Sequence, residues 1–264
     1  MDSAEGDFVA APTHTTDTPE DIGTVDAVIV ATKAWQVAEA ATVMRPLVGE
    51  NTVIVPLLNG VEAPAQLAGA LGDAHVLGGF CRVLSYIEGP GHVVQGGTPP
   101  FVAFGELDNS ETERVQQLRA LFAEANVTVQ DTPDIQAAMW QKLLFIASFS
   151  GVGAVTRSPA GTLRDVPQVY AMLQAAMREV EAVARARGIN MREDAVPHGL
   201  NLINNLPDEA TASMQRDVLD GRPSELEAQN GAVVRLGLDV DVPTPTHNFL
   251  YASLLPAEMR ARAQ

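Results

Sequence analysis

The chain has 264 residues, 46% of them hydrophobic, and its formal net charge at pH 7 is −16. The hydrophobic content excludes a disordered chain, and the length suits one large domain or two ordinary ones. The negative charge disfavours nucleic acid and anionic membranes as partners, because no cluster of lysine or arginine residues offsets it. An anionic small molecule could still bind at a local group of basic residues or amide donors.

We expect a cytoplasmic protein with neither a signal peptide nor a transmembrane helix. The opening residues, MDSAEGDFVAAPTHTTDTPEDIG, are acidic and contain no apolar segment of the kind that signal peptides require. No run of about 18 apolar residues, the length needed to span a bilayer, occurs in the chain. Cys81 is the one cysteine, which excludes an intrachain disulfide and fits a reducing compartment.

Up to about residue 131, short apolar runs alternate with helical patterns. DAVIVAT at 26–32 is typical of a buried strand, and a helical pattern follows over 34–47. The alternation continues with a strand and turn at 51–60, a helix at 61–72, a hairpin over 75–97, a strand at 101–106 and a helix at 110–125. Ser110, with Glu113 further on, is predicted to cap the last helix. Alternating strands and helices predict a doubly wound parallel sheet.

After residue 131 the pattern is helical almost throughout. Helices are predicted at 133–150, 164–188, 208–220, 224–237 and 245–262, and no strand is expected between 164 and 262. The predicted fold class is therefore α/β: a truncated Rossmann-like parallel sheet domain over residues 1–130, followed by an all-helical domain over 131–264. The predicted boundary lies near QDTPD at 130–134.

Lys142 is the one charged residue in the stretch MWQKLLFIASFSGVG at 139–153. On helical spacing it shares a face with five uncharged residues, Ala138, Met139, Phe145, Ile146 and Phe149. One interpretation is a lysine on an exposed helix stripe. The other is an ammonium that faces a cleft, where it could bind an anion and donate a proton to a carbonyl oxygen.

Four other polar residues are candidates for the same site. Lys33 follows the strand at 26–32, and Asn59 follows the next strand, at the edge of the sheet where ligands of open α/β folds bind. Ser213 and Glu225 belong to the helical part. Each has an ordinary structural explanation: a surface lysine, a tight Asn-Gly turn, a helix N-terminal serine and a solvated acidic face.

Together these residues resemble the ketopantoate reductase (2-dehydropantoate 2-reductase) family. The matching pieces occur in the family's order and cover nearly the whole chain: DAVIVATKAWQV, PLLNGVE, GGFCRV, FGEL, MWQKLLFIASFSGVGAVTRSP and SMQRDVLDGRPSELEAQNGAVVRLG. The resemblance implies an NADP-binding domain, a helical domain for substrate binding and dimerisation, and a substrate cleft between them. It also implies no metal, and it leaves a homodimer as one alternative for the assembly.

The resemblance assigns a role to each candidate. Lys142 is the general acid, which protonates the C2 carbonyl oxygen of a 2-keto acid, 2-dehydropantoate above all, while NADPH supplies hydride. Lys33 and Asn59 contact the nicotinamide-side ribose and ring. Glu225 lies beside the lysine and contacts cofactor or substrate. Ser213 and Ser150 are the substrate-binding hydroxyls.

The sequence departs from the family pattern in two ways. No G-x-G-x-x-G fingerprint is present, and GVG at 151–153 follows a helix rather than a strand, so we expect the NADP-binding domain to be N-terminally incomplete and to bind NADPH weakly. Ile146 and Ser150 stand where the family has asparagines, and Ala160 and Ala210 stand where polar contacts are expected.

Two alternatives to ketopantoate reduction follow from these departures. One is a related NADP-dependent hydroxyacid dehydrogenase with a different substrate, since Ile146 cannot hydrogen-bond. The other is a non-catalytic remnant that cannot bind cofactor. Retention of Lys33, Asn59, Lys142 and Glu225 together favours an enzyme over a remnant.

Overall fold

The computed structural model describes residues 1–3 and 6–263, which form two units. The first unit consists of residues up to 32, 36–58 and 64–135. The second consists of 33–35, 59–63 and 136 to the end. Two short segments from the first half of the sequence therefore belong to the second unit, and they contain Lys33 and Asn59.

The first unit contains the strands of the described chain. They are β1 (Asp2–Ser3), β2 (Val25–Val30), β3 (Val48–Pro56), β4 (Gly78–Gly89) and β5 (His92–Gly105). β2 and β3 pair in parallel, and β1 pairs in parallel with β5, but β4 and β5 form an antiparallel hairpin. The predicted α/β class is confirmed, and the strand pairing is mixed rather than purely parallel.

The predicted hairpin and the strand predicted at 101–106 are parts of one structure. β5 runs without a break to Gly105, and its register against β4 jumps from Arg82↔Phe101 to Leu84↔Gly96. Pro99 and Pro100 lie in the segment left out of the register. Because proline has no N–H to donate, the ladder is interrupted there and the strand bulges instead of ending.

Three helices accompany the strands: α1 (Val37–Val43), α2 (Ala63–Leu71) and α3 (Glu113–Glu124). The predicted capping of α3 by Ser110 is wrong. The helix begins after Thr112, and the backbone N–H of Ser110 donates to Oδ1 of Asp108 at 2.9 Å. The aspartate side chain thus forms a local turn that competes with an earlier helix start.

The second unit is helical. Its helices are α4 (Ile135–Thr156), α5 (Ala160–Asp165), α6 (Pro167–Ala186), α7 (Ala195–Asn204), α8 (Ser213–Leu219), α9 (Ala232–Leu238) and α10 (Pro245–Arg262), with a π-helical turn at Glu227–Gly231. No strand lies between 164 and 262, all of which the structure describes. The helix predicted at 164–188 is divided at Val166, before a proline that begins α6. The sequence prediction omitted α7.

α4 is the central helix of this unit. Leu143, Leu144 and Ala147 are at most 1% exposed and pack with residues of α6, α7 and α9. By length and composition α4 could also cross a membrane, but 67% of its most apolar window is buried inside the protein. Such burial is typical of the core helix of a folded domain.

The GVG sequence lies inside α4, where its glycines make room for buried amides. A Cβ atom at Gly151 would lie 2.5 Å from Nδ2 of Asn230, and one at Gly153 would lie 2.6 Å from Oε1 of Gln215. Asn230 and Gln215 are both at most 1% exposed. The glycines therefore serve close packing of the helix, as the absence of a preceding strand suggested.

Candidate active site

Glu225 connects two segments that are far apart in the sequence. Its Oε2 accepts a hydrogen bond from Nδ2 of Asn59 at 2.7 Å, and its Oε1 accepts one from the backbone N–H of Ala34 at 3.3 Å. Glu225 is 5% exposed, so these donors compensate a carboxylate that is removed from water. The structure thus brings together Asn59 and Glu225, which the sequence singled out separately.

The segment that carries Asn59 is anchored to the helical unit at two further points. Gly60 has φ of +92°, and a Cβ atom there would lie 3.1 Å from the backbone oxygen of Ala228. Oε2 of Glu62 pairs with Nη2 of Arg235 at 2.8 Å. The Asn-Gly pair is therefore more than a free turn, because the glycine allows the backbone to approach the π-helical turn closely.

Lys33 lies between an aromatic ring and an acid. Its Nζ is 3.3 Å from Oδ2 of Asp217 and 5.6 Å from the centroid of the Trp35 ring. Asp217 also pairs with Arg222 at 3.0 Å. The Lys33 side chain is 46% exposed, so solvent screens this ion pair, which contributes about 1 kcal/mol at most.

Lys142 lies on a half-buried stripe of α4. Ala138, Phe145 and Ile146 are half-buried like the lysine itself. These positions are one helical turn before and after Lys142 and share its face. Met139 and Phe149, the other two residues of that face, are 5% and 4% exposed. Lys142 is thus the one charged member of an apolar face that is part buried core and part half-buried surface.

The two candidate serines occupy different environments. Ser150 is 1% exposed, and its Oγ lies 2.7 Å from Oε1 of Gln229 and 2.5 Å from the backbone oxygen of Ile146. Ser213 is exposed and is the first residue of α8. The geometry of Ser150 is that of a packing contact between α4 and the π-helical turn. The substrate-binding roles of both serines stay predictions.

α4 packs directly on the turn that follows Glu225. Besides the Ser150 contact, Nδ2 of Asn230 donates to the backbone oxygen of Ala147 at 3.1 Å. Ala147 is five residues after Lys142, which is about 7.5 Å along the helix axis. Asn230 is likewise five residues after Glu225. Lys142 and Glu225 are therefore both a short distance along the chain from one buried hydrogen-bonded contact.

Sequence reasoning missed three groups around Glu225 and Lys33. Asp217 and Trp35 contact Lys33, and the backbone N–H of Ala34 contacts Glu225. Asp217 was visible in the sequence, in MQRDVLDGR, as a residue of the same predicted helix as Ser213. A backbone N–H has no signal in the sequence, since every residue except proline carries one.

The alanines that replace expected polar contacts are neighbours. The backbone N–H of Ala160 donates to the backbone oxygen of Ala210 at 3.0 Å, and Ala160 is fully buried. Neither alanine side chain can hydrogen-bond, so these two positions supply no side-chain polar contact.

In the described part of the chain, the side chains of Asp2, Glu88 and His92 in the first unit lie close enough together to hold one metal ion. None of these is a candidate for the site. The residues around Glu225 offer a carboxylate, a carboxamide and an ammonium, a set that suits a polar organic ligand better than a metal ion.

Comparison with known proteins gives a consistent result for both parts of the chain. The family models for ketopantoate reductase PanE/ApbA and for its C-terminal part match residues 1–109 and 134–258. The 2-dehydropantoate 2-reductase of Mycobacterium tuberculosis is 30% identical over 97% of this chain and 84% of its own.

Solved structures agree. That of 2-dehydropantoate 2-reductase from Geobacter metallireducens has a TM-score of 0.88 at 29% identity and covers 97% of this chain and 85% of that one. A D-mandelate dehydrogenase structure with NADH and anilino(oxo)acetate, 20% identical with a TM-score of 0.81 and covering 90% of this chain and 77% of that one, shares the fold. The sequence resemblance is thereby confirmed: the chain belongs to the ketopantoate reductase family of oxidoreductases.

Proposed function

We propose that this protein reduces a 2-keto acid with NADPH, and that 2-dehydropantoate, which becomes pantoate, is its substrate. The observation that carries the proposal is the hydrogen-bonded group formed by Glu225, Asn59 and the backbone of Ala34, with Lys33 next to it. Family membership supports the reaction class. The relatives named 2-dehydropantoate 2-reductase support the substrate.

The residues of this group fit the nicotinamide end of the cofactor. A buried carboxylate and a carboxamide can hydrogen-bond ribose hydroxyls or the nicotinamide carboxamide, and an ammonium can bind a hydroxyl or an anion. The cofactor, when bound, supplies a hydride to the carbonyl carbon of the substrate. We assign Asn59, Glu225 and Lys33 to holding and orienting that end, as the sequence resemblance implied.

We assign the role of proton donor to Lys142. In this proposal its ammonium donates a proton to the oxygen of the keto group, on which negative charge develops as the carbonyl is reduced. The apolar neighbours on its stripe, Phe145 and Ile146, favour this role because a less polar environment strengthens the attraction between an ammonium and an alkoxide.

The use of lysine in the whole chain supports the assignment. Lys33 and Lys142 are the two lysines among 17 basic residues, and the others are arginines. Arginine holds its proton at any ordinary pH, whereas an ammonium can give up a proton near neutrality when its environment lowers the pKa. A position that must donate a proton therefore requires lysine rather than arginine.

A second candidate function differs in the substrate. Ile146, one turn after Lys142, is apolar where the family has asparagine, and this favours a 2-keto acid with an apolar side chain over one with a hydroxyl group. The reaction would then be that of an NADP-dependent hydroxyacid dehydrogenase with the same acid, Lys142.

The test is a comparison of kcat/KM for 2-dehydropantoate and a panel of 2-keto acids with apolar side chains, each with NADPH and with NADH. The first proposal expects the highest kcat/KM for 2-dehydropantoate with NADPH. A preference of more than about tenfold for an apolar keto acid would favour the second. No oxidation of either cofactor with any keto acid would contradict both, and would leave the non-catalytic remnant as the explanation.

Assembly and compartment also stay predictions. We propose a homodimer, and static light scattering at micromolar concentration distinguishes it from a monomer. Localisation to the cytoplasm is measured by fractionation of the native organism.

A further inference from the structure

Behind Glu225 lies a second buried carboxylate, Glu258 of α10, which is 4% exposed. Its two oxygens lie 3.1 Å from the backbone nitrogen of Ser224, and Oε2 accepts a hydrogen bond from Oγ of Ser224 at 2.5 Å. Ser224 is fully buried and directly precedes Glu225. Glu258 therefore fixes the backbone and the side chain of the residue next to the carboxylate of the candidate site.

Ser224 also contacts the residue that follows Glu225. Oγ of Ser224 also accepts a hydrogen bond from the backbone N–H of Leu226 at 3.3 Å. The serine thus holds the chain before and after Glu225. Because the backbone on both sides of Glu225 is held, only the side-chain torsions of Glu225 remain to set the direction of its carboxylate, and its hydrogen bonds with Asn59 and Ala34 restrict these.

Arg262 joins this contact to the segment that carries Lys33. Its Nε is 2.6 Å from Oε1 of Glu258, and its Nη2 donates to the backbone oxygen of Ser224 at 2.9 Å. Its guanidinium lies 4.5 Å from the centroid of the Trp35 ring. Arg262 thus neutralises Glu258 and also packs on Trp35. Trp35 directly follows Ala34, whose backbone N–H donates to Glu225.

We infer that Glu258 is a positioning residue for the reaction: through Ser224 and Arg262 it holds the carboxylate of Glu225 against Asn59 and the backbone N–H of Ala34. It acts through these residues and touches neither substrate nor cofactor. Its role in catalysis rests on the proposed function, whereas its effect on the hydrogen bond between Glu225 and Ala34 does not.

Three measurements test the inference: one on the protein without ligands and two on its enzymatic activity. The variants are Glu258→Gln, Glu225→Gln and their combination, with Glu179→Gln as the control. Glu179 also accepts two hydrogen bonds, from the backbone N–H groups of Thr246 and His247 at 2.7 and 2.8 Å, but these lie at the opposite end of α10. A general effect of weakening α10 would appear in the control as well.

The first reading is amide hydrogen exchange at Ala34, measured by NMR without cofactor or substrate. We expect exchange to become about tenfold faster in Glu258→Gln and in Glu225→Gln, and to stay unchanged in Glu179→Gln. Unchanged exchange in Glu258→Gln overturns the inference. If Glu258→Gln fails to fold, Ser224→Ala, which removes the bridging hydroxyl, decides by the same measurement.

The second reading is kcat/KM, which we expect to fall about 10- to 100-fold in Glu258→Gln. In the Glu225→Gln background the same change should have little further effect, because the carboxylate that it positions is already gone. Equal losses in both backgrounds would mean a structural role only and overturn the inference.

The third reading is the wild-type activity itself, which separates the two proposals. A wild-type protein that reduces no keto acid, together with faster exchange at Ala34 in Glu258→Gln, contradicts the proposed function and supports the positioning. An active wild type with unchanged exchange in that variant contradicts the positioning alone.

Discussion

At the scale of single residues, the distribution of lysine separates two kinds of basic residue. Arginine makes most of the ion pairs of the protein, for example with Glu106 and Glu258. Lysine occurs at the two candidate positions, Lys33 and Lys142. The pair allows a matched experiment, since each can be changed to arginine, which keeps the charge and removes the capacity to donate a proton.

We predict that Lys142→Arg and Lys142→Ala both lower kcat by about 10²- to 10⁴-fold, because each lacks a proton donor at neutral pH. Lys33→Arg should keep kcat within about tenfold, since the proposed role of Lys33 is binding, and its ion pair with Asp217 is available to arginine. Steady-state and single-turnover kinetics with saturating NADPH measure both. Normal kcat in Lys142→Arg would exclude proton donation by this residue.

At the scale of elements, α4 depends on glycine where other residues approach it. Helix propensity favours alanine over glycine by about 1 kcal/mol in a free helix. In α4 the packing reverses this preference, because Cβ atoms at Gly151 and Gly153 would overlap the buried amides of Asn230 and Gln215. In an isolated helix the same two glycines would lower the stability of the helix.

We predict that Gly151→Ala and Gly153→Ala each destabilise the protein by roughly 1–3 kcal/mol, the usual cost of overpacking a buried contact. Gly69→Ala in α2 is the control: no atom lies within 4 Å of its Cβ position, so this change should stabilise by roughly 0.5–1 kcal/mol. Urea unfolding followed by circular dichroism gives the three free energies. Stabilisation by Gly151→Ala would show that Asn230 can move away.

At the scale of the whole molecule, the helical unit contains a histidine that must stay neutral to remain buried. His247 is completely buried, between Asn230 and the backbone oxygen of Ala176, and burial lowers its pKa to about 4. Between this value and the ordinary pKa of about 6.5, the unfolded chain binds a proton that the folded chain does not. The free energy of unfolding therefore falls as the pH falls through that range.

We predict a loss of roughly 2 kcal/mol in the free energy of unfolding between pH 7 and pH 5, from a slope of about 1.4 kcal/mol per pH unit once the unfolded histidine titrates. Carboxylates contribute little in this window: the pKa of Glu106, for instance, is lowered by its hydrogen bond from Arg114, so its contribution is lost only below pH 4.5. Urea unfolding across the pH range measures the slope.

His247→Gln should flatten this dependence, even if the variant is less stable at every pH. His198→Gln is the control: burial lowers the pKa of His198 in the same direction, but His198 is only half-buried, whereas His247 is completely buried. An unchanged pH dependence in His247→Gln would mean that another group causes it.

Much of the fold was predictable because it depends on local pattern. The strand predicted at 26–32 is observed as β2 (Val25–Val30), but the prediction that it is buried is wrong, since Val30 is its one buried residue and Ile29 is 50% exposed. The shift to helices near residue 133 appears as the start of α4 at Ile135. The bulge in β5 and the start of α3 were not predicted, since they depend on which hydrogen-bond partner is available to Pro99–Pro100 and Ser110. α7 was missed because Pro197 and Gly199 lie within it.

The sequence by itself determined the family, the α/β class and the residue types of the candidate site, since these follow from motif order, hydrophobic period and the chemistry of each side chain. Only the tertiary structure decided which groups meet: Asn59 and the backbone of Ala34 on Glu225, Lys33 on Asp217, and Glu258 behind Ser224. These pairs are separated by up to 191 residues in the chain. Their contacts arise from packing of whole helices, whose geometry no local pattern specifies.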